Sequence, residues 1–489
     1  MDIGTSGTKS VLFDTEGNAI KSALAEYPLY QPKNGYAEQN PEDWWEAVLK
    51  TLQEIVPAAT DGKIVGIGLS GQMHSLVLLN KDNQVIRPAI LWCDQRTAKE
   101  CEEIENLIGR ERLIEITANP ALPGFTASKI MWVKKHEREN FDRAAHILLA
   151  KDYIRFKLTG EYATEVSDAS GMQLLDVKKR CWSEEVCEKL GVDMSLLARV
   201  YESPEITGRI TREVALLTGL DEGTVVAGGA GDNAAAAIGV GVYREGKAFT
   251  TIGTSGVVFA PTSNPVIDNG GRVHTFCAAV PGTWHVMGVT QAAGLSLNWF
   301  RSNLAESISY REIDAECEKI PVGAEKLIYL PYLMGERTPI LDSNARGVFF
   351  GLSAMHNKIH LARAVIEGVS YSLYSCLEIL KEMNIELDDM ALCGGGGKSR
   401  FWQQMLCDIY AMPIKTMQSD EGAALGAAIL GGCAAGVYSS VADGCDKTVK
   451  AKEPCLPDLE KTAEYRKFYS LYSSLYTALK DSFKTLDEI

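Results

Sequence analysis

No C-x-x-C pair occurs among the twelve cysteines; the closest two are Cys181 and Cys187. That spacing excludes zinc ribbons and dithiol redox motifs, and scattered cysteines in a large chain read as reduced, mostly buried thiols. The seven histidines supply one H-x-x-x-H spacing, His356 and His360, with no Cys or Glu nearby short of Glu367, so a helix surface is expected there. Positive charge is in deficit: 49 Lys and Arg against 64 Asp and Glu give a net charge of −15. Nucleic acid and acidic membrane surfaces are therefore poor partners, although a few N–H groups and a metal can still hold phosphate. Unbroken apolar runs are also missing. The uncharged stretch from Ala423 to Ala442 is interrupted by Gly426, Gly431, Gly432, Gly436 and serines, which predicts a small-residue helix packed inside a domain rather than a membrane span. No signal-peptide pattern opens the chain, so a cytoplasmic location is expected.

What is present is a repeat. Residues 2–14 read DIGTSGTKSVLFD and residues 248–260 read AFTTIGTSGVVFA. Each places Ile-Gly-Thr-Ser-Gly before a β-branched, apolar run. Two such turns half a chain apart predict two lobes on one plan, and 489 residues are enough for two large domains. Glycines let each turn approach a ligand, and the hydroxyl residues offer N–H and O–H groups suited to phosphate; two ordinary hairpin turns are the plain alternative. Neither turn fits G-x-x-x-x-G-K-[ST], so the nucleotide fold is not a P-loop. The first lobe reads as a meander with strands at 10–14 and 18–27, then a helix from Pro41 to about Val56 capped by Asn40. A buried strand is expected at Ile64–Leu69, ending at Ser70-Gly71-Gln72-Met73-His74. Cys93-Asp94-Gln95-Arg96 is expected to open a helix, and residues 97–200 to be mainly helical. A strand at Val225–Gly229 runs into Ala230-Gly231-Asp232-Asn233. From Tyr243 the second lobe repeats the order: meander, helix Ile359–Met383, strand Met390–Cys393, then Gly394-Gly395-Gly396-Gly397-Lys398-Ser399. A charged amphipathic helix from Leu459 closes the chain.

Phosphoryl transfer needs a held triphosphate, a divalent ion shared with it, and a base near the acceptor hydroxyl. Asp2, at a strand end ahead of the first turn, suits Mg²⁺, or alternatively caps the turn's N–H groups. Asp232 lies between the lobes among glycines and alanines, with no neighbouring Lys or Arg to lower its pKa. Those conditions suit a general base; an Asx turn or helix N-cap is the alternative. Met73, His74, Trp92, Asp94 and Arg96 gather at first-lobe strand ends and suit a polyol, although a lone His there is often structural. Four consecutive glycines allow a flat group such as adenine to lie on bare backbone, or form a plain loop.

The stretch Gly124–His136 (GFTASKIMWVKKH) and the pattern Gly347–Leu352 continuing to Glu367 resemble the two signatures of the FGGY carbohydrate kinase family, and the resemblance spans nearly the whole chain. Ser70–His74, Trp92-x-Asp94-x-Arg96, Lys151-Asp152-Tyr153 and Ser167–Gly171 resemble the branch acting on D-xylulose rather than the one acting on glycerol. The resemblance implies an α/β fold of two ribonuclease-H-like lobes, of the actin/hexokinase ATPase type, closing on a cleft. Residues 1–242 form the sugar-side lobe and 243–489 the nucleotide-side lobe. It implies ATP-dependent phosphorylation of D-xylulose at O5, with Asp232 as proton acceptor, Asp2 at the first phosphate motif and holding Mg²⁺, and Met73 and His74 binding the sugar with Trp92 and Asn233. Thr5, Ser6, Gly253, Thr254, Gly395, Gly396, Gly397 and Lys398 fall to ATP. Family members carry several more residues ahead of the aspartate that Asp2 matches: either the start is truncated here or the lobe lacks part of a central strand, and a lost strand segment would weaken the placement of Asp2. Ribulose, gluconate or glycerol are the other substrates in view. ATP-driven binding proteins of the actin or Hsp70 type are the non-enzymatic reading, against which no β-rich domain follows the second lobe. A homodimer is the assembly considered.

Overall fold

The computed structural model describes residues 1–60 and 62–489. Its two large sheets have one strand order. In the first lobe, Asp2–Ile3 lies at the centre, antiparallel to Gly7–Phe13, which pairs with Ala19–Glu26; on the other side it runs parallel to Ser70–Gly71, followed by Ala230–Gly231. In the second lobe, Gly246–Ile252 takes that central place. Gly256–Thr262 and Trp284–Thr290 lie on its antiparallel side, with His274–Cys277 added at the edge, and Leu387–Cys393 and Ile414–Lys415 on its parallel side. The repeated Gly-Thr-Ser-Gly stretches are the hairpin turns of the two central strands, closed by Gly4 N–H donating to Gly7 O and Gly253 N–H to Ser255 O, both at 3.0 Å. The expected repeat is thus one of topology as well as of sequence.

Local chemistry accounts for the helices. Pro41–Ile55 starts after Asn40, whose side chain accepts from Glu42 N–H, with Glu42 and Asp43 at its positive end. Trp44, Val48, Leu52 and Ile55 bury one face against the first sheet. Lys358–Glu382 is the spine of the second lobe's core, and Leu459–Glu488 lays Tyr465, Tyr472, Leu475 and Phe483 onto that core. Among the described residues no helix is long and apolar enough to cross a membrane.

Two expectations are corrected. The strand expected at Ile64–Leu69 is split: Gly66–Ile67 pairs with Val225–Ala227 in a separate three-stranded sheet, and pairing resumes at Ser70. The break lies where the helix Gly422–Ala434 presses on the chain; a Cβ on Gly68 would lie 1.6 Å from the carbonyl oxygen of Ala427. Residues 93–97 do not open a helix, which begins only at Ala98. Asp94 instead folds its loop, accepting from Ala37 N–H at 2.7 Å and from the Arg96 guanidinium at 2.7 Å.

The helix Gly422–Ala434 comes from the second half of the chain but packs on first-lobe elements, chiefly on Asp232–Gly239. Glycines bring the two together: a Cβ on Gly426 would lie 1.8 Å from Ala235 O, and one on Gly239 would lie 1.7 Å from Gly422 O.

Candidate active site

A cavity of about 300 Å³ opens between the lobes. From the first lobe it is lined by Gln72, Met73, His74, Trp92, Gly124, Phe125, Asp232 and Asn233, and from the second by Gly253, Ser255, His274, Phe276, Arg337 and Gly394, among others. Of the residues singled out in the sequence, Met73, His74, Trp92, Asp232, Asn233 and Gly253 are brought together here. Asp94 and Arg96 are not: they pair with each other, and Arg96 also lies 2.8 Å from Glu38 and over the Tyr36 ring.

Asp232 is the first residue of the helix Asp232–Gly239, and follows directly on the strand Ala230–Gly231. Its Oδ1 accepts from the backbone N–H of Asn233 at 2.8 Å and from Asn233 Nδ2 at 3.1 Å, which leaves Oδ2 to the cavity. Burial, and then the neighbouring Asp2 carboxylate, push its pKa up to about 6. The backbone that carries it is fixed from behind: Gly231 N–H donates to Ser167 Oγ at 3.1 Å, and Ser167 Oγ donates to Glu165 at 2.9 Å.

His74 has a left-handed backbone, φ 68°. Its Nδ1 lies 2.9 Å from Gly171 O, so Nδ1–H donates there and Nε2 is left as an acceptor. Burial and the charge on Lys129 push its pKa well below the usual range, so the ring is neutral. Lys129, on the helix Thr126–His136, donates to His74 O at 2.8 Å and also to Gly124 O. A buried lysine at that point explains the physical role of the stretch from Gly124 to His136: it ties the loop before the helix to the strained His74 backbone. Lys129→Met removes both bonds while keeping the length of the side chain. His74 O then keeps only the bond from Thr126 Oγ1 at 3.1 Å, and the Gly124 carbonyl lacks a donor, at a cost of about 1–3 kcal/mol. The expected result is a lower Tm with weakened sugar binding and an unchanged KM for ATP; equal losses for sugar and ATP would contradict this role.

The first glycine turn is wired to the same wall. Trp92 Nε1 donates to Thr5 Oγ1 at 2.9 Å, Thr5 Oγ1 donates to Gln72 Oε1 at 3.3 Å, and Gln39 Nε2 donates to Thr5 O at 2.7 Å. Asp2 lies behind this turn; its Oδ1 accepts from Ser70 Oγ at 3.0 Å, and burial raises its pKa. Short as it is, the strand Asp2–Ile3 is held on both sides. Ser6, Thr254 and Gly395 are exposed. Gly394 and Gly396 pack on Ile252, where a Cβ would lie 2.6 Å from Ile252 O and 2.5 Å from its Cγ2 respectively. Close packing of the backbone therefore accounts for part of the four-glycine run. Gly397 is buried, and Lys398 is exposed and pairs with Asp420 at 3.1 Å.

Arg337, His274 and Phe276 line the cavity without having been singled out in the sequence. They come from strand edges and a turn far along the chain, and no local motif marks them.

Models of the N-terminal and C-terminal domains of the FGGY family of carbohydrate kinases match residues 1–239 and 248–435. The chain belongs to the FGGY family of carbohydrate kinases. It is 39% identical over 483 residues to xylulose kinase of Bacillus subtilis, covering 98% of this chain and 97% of that one. A ligand-bound xylulose kinase from Lactobacillus acidophilus superimposes with a TM-score of 0.95 at 31% identity, covering 99% of both chains. Gluconate kinase from the same species gives 0.95 at 30%, covering 99% of this chain and 98% of that one. The two lobes are those of the actin/hexokinase-type ATPase fold shared by these sugar kinases, and the protein is a sugar kinase.

Proposed function

We propose that the protein transfers the γ-phosphoryl group of ATP to O5 of D-xylulose, giving D-xylulose 5-phosphate. The observation that carries this reading is the open Oδ2 of Asp232, set between a polar first-lobe wall and the second glycine turn in one cavity. The likeness to xylulose kinases over the whole chain supports the choice of sugar. Residues 1–242 take the sugar through Met73, His74, Trp92 and Asn233, and residues 243–489 take ATP through Gly253, Thr254, Gly395, Gly396, Gly397 and Lys398, facing Thr5 and Ser6 across the cleft. Asp232 accepts the proton of the O5 hydroxyl as that oxygen attacks phosphorus. Neutral His74 Nε2 accepts from a sugar hydroxyl, and Trp92 gives the chain of the sugar a flat wall. Closure of the lobes keeps water away from the phosphate. The cytoplasm, where thiols stay reduced, is the compartment that suits twelve free cysteines.

Among the described residues no group of three His, Cys, Asp or Glu side chains is arranged to hold a metal ion, so a divalent ion would enter with the nucleotide and keep most of its water and phosphate ligands. Asp2 fits that part: a hard, part-buried carboxylate near Asp232, with Lys9 engaged by Glu421 at 2.6 Å. When bound, Mg²⁺ supplies charge neutralisation on the phosphates.

The test is ADP release with ATP and Mg²⁺ across D-xylulose, D-ribulose, D-gluconate and glycerol. D-Xylulose is expected to stimulate release far above the other three. A larger response to gluconate would move the acceptor to the aldonates; no response to any of them would overturn the kinase reading of this cavity.

A further inference from the structure

Among the described residues lining the cavity, Arg337 alone carries a fixed positive charge; His74 and His274 are held neutral by burial. It reaches across from the second lobe to the first. A Cβ built on Gly124 lies 3.7 Å from Arg337 Nη2 and 3.3 Å from Trp92 O, so the guanidinium stands beside the sugar-side loop.

No described residue pairs with that guanidinium. Its neighbour Glu336 turns away into the second lobe and accepts from Gln291 N–H at 2.7 Å, Arg337 N–H at 2.8 Å and Ser372 Oγ at 3.3 Å. The side-chain nitrogens of Arg337 make no hydrogen bond and no ion pair with any described residue. The backbone is anchored independently of the side chain: Thr338 N–H donates to Val289 O at 3.0 Å, Val289 N–H to Thr338 Oγ1 at 3.1 Å, and Thr338 Oγ1 to Arg272 O at 2.8 Å. Its five N–H donors, part-buried at the cavity wall and without an acceptor among the described residues, are free to be completed by a ligand.

We propose that Arg337 is a substrate contact that the second lobe supplies to the acceptor sugar, donating hydrogen bonds to the substrate oxygens beside His74 and Gly124. The inference rests on the sugar-kinase reading of the cavity and adds to it that the sugar, and not the nucleotide alone, joins the two lobes. A planar guanidinium donates to a carboxylate through two parallel N–H groups, a closer match than a ketone or hydroxyl offers. A five-carbon aldonate is therefore the expected competing ligand.

The experiment titrates wild type, Arg337→Gln and Arg337→Lys with D-xylulose and with D-xylonate, without nucleotide, by calorimetry, and measures the KM for ATP and the Tm of each. Loss of a hydrogen bond from a charged donor predicts that D-xylulose binds Arg337→Gln about tenfold or more weakly. D-Xylonate binding should disappear in Arg337→Gln and return in part in Arg337→Lys, with the ATP KM within about twofold of wild type. Unchanged affinities for both ligands in a variant with wild-type Tm would overturn the contact. So would equal losses for sugar and ATP with a lowered Tm, which mark a structural role. If Arg337→Gln does not fold, Arg337→Lys decides: wild-type affinity for D-xylulose in that variant counts against the contact. Ketose binding without phosphate transfer in the wild type would defeat the proposed reaction and leave the contact to these titrations. Transfer with undiminished sugar affinity in Arg337→Gln would defeat the contact and leave the reaction standing.

Discussion

Replacing Asp232 by Asn is expected to lower kcat by about 10²–10⁴-fold, the range typical of a lost general base, while D-xylulose still binds. The amide keeps the shape of the carboxylate and can still accept from Asn233 through one oxygen, as Oδ1 does now. What it loses is the capacity of Oδ2 to take a proton. The acid limb of the pH profile should report the same group. A carboxyl raised to about 6 is protonated, and useless as a base, below that pH, so kcat/KM should fall as pH drops through about 6. Turnover near that of wild type in Asp232→Asn would remove Asp232 from the chemistry. Lost sugar binding with an intact fold would make it a binding group instead.

Gly426→Ala is expected to destabilise the whole protein, against the ordinary preference of a helix interior for alanine, which is worth about 1 kcal/mol. The added Cβ would stand 1.8 Å from Ala235 O, and backbone of the facing helix cannot rotate aside as a side chain can. The helices Gly422–Ala434 and Asp232–Gly239 must separate, at a cost at or above the ~1–3 kcal/mol typical of overpacking. Because Asp232 begins one of the two helices, kcat should fall along with Tm. Gly62→Ala, where a Cβ meets nothing within 4 Å, is the matched control and should leave both unchanged. Equal Tm values for the two variants would show that the contact yields more readily than this geometry allows.

Much of this arrangement is legible in the sequence because it is local. Glycine turns, a β-branched run after each and the Asn40 cap depend on neighbours in the chain, and the paired copies of Ile-Gly-Thr-Ser-Gly predict two lobes on one plan, whose central strands the structure makes equivalent. Asp232 was visible for the same reason, standing between a buried strand and an alanine-rich helix. What stayed hidden depends on partners far off in the chain. Asp94 and Arg96 looked like free polar groups, but Ala37 and Glu38 engage them. The break at Gly68 comes from a helix more than 350 residues later, and the strand pattern carries no trace of it. Arg337 reads as one arginine among many until Thr338 is tied to Val289 and the cleft closes around it.

The helix Gly422–Ala434 also sets how the halves could be made apart. A piece ending at residue 242 would carry Ala234, Ala235 and Ile238 uncovered, and the remainder would carry Leu425, Ile429 and Leu430 on a helix with nothing beneath it. Neither half is a self-sufficient folding unit at that surface. A protease cut in the connection near Tyr243 would leave two polypeptides clasped as one particle, each holding a part of the other's core.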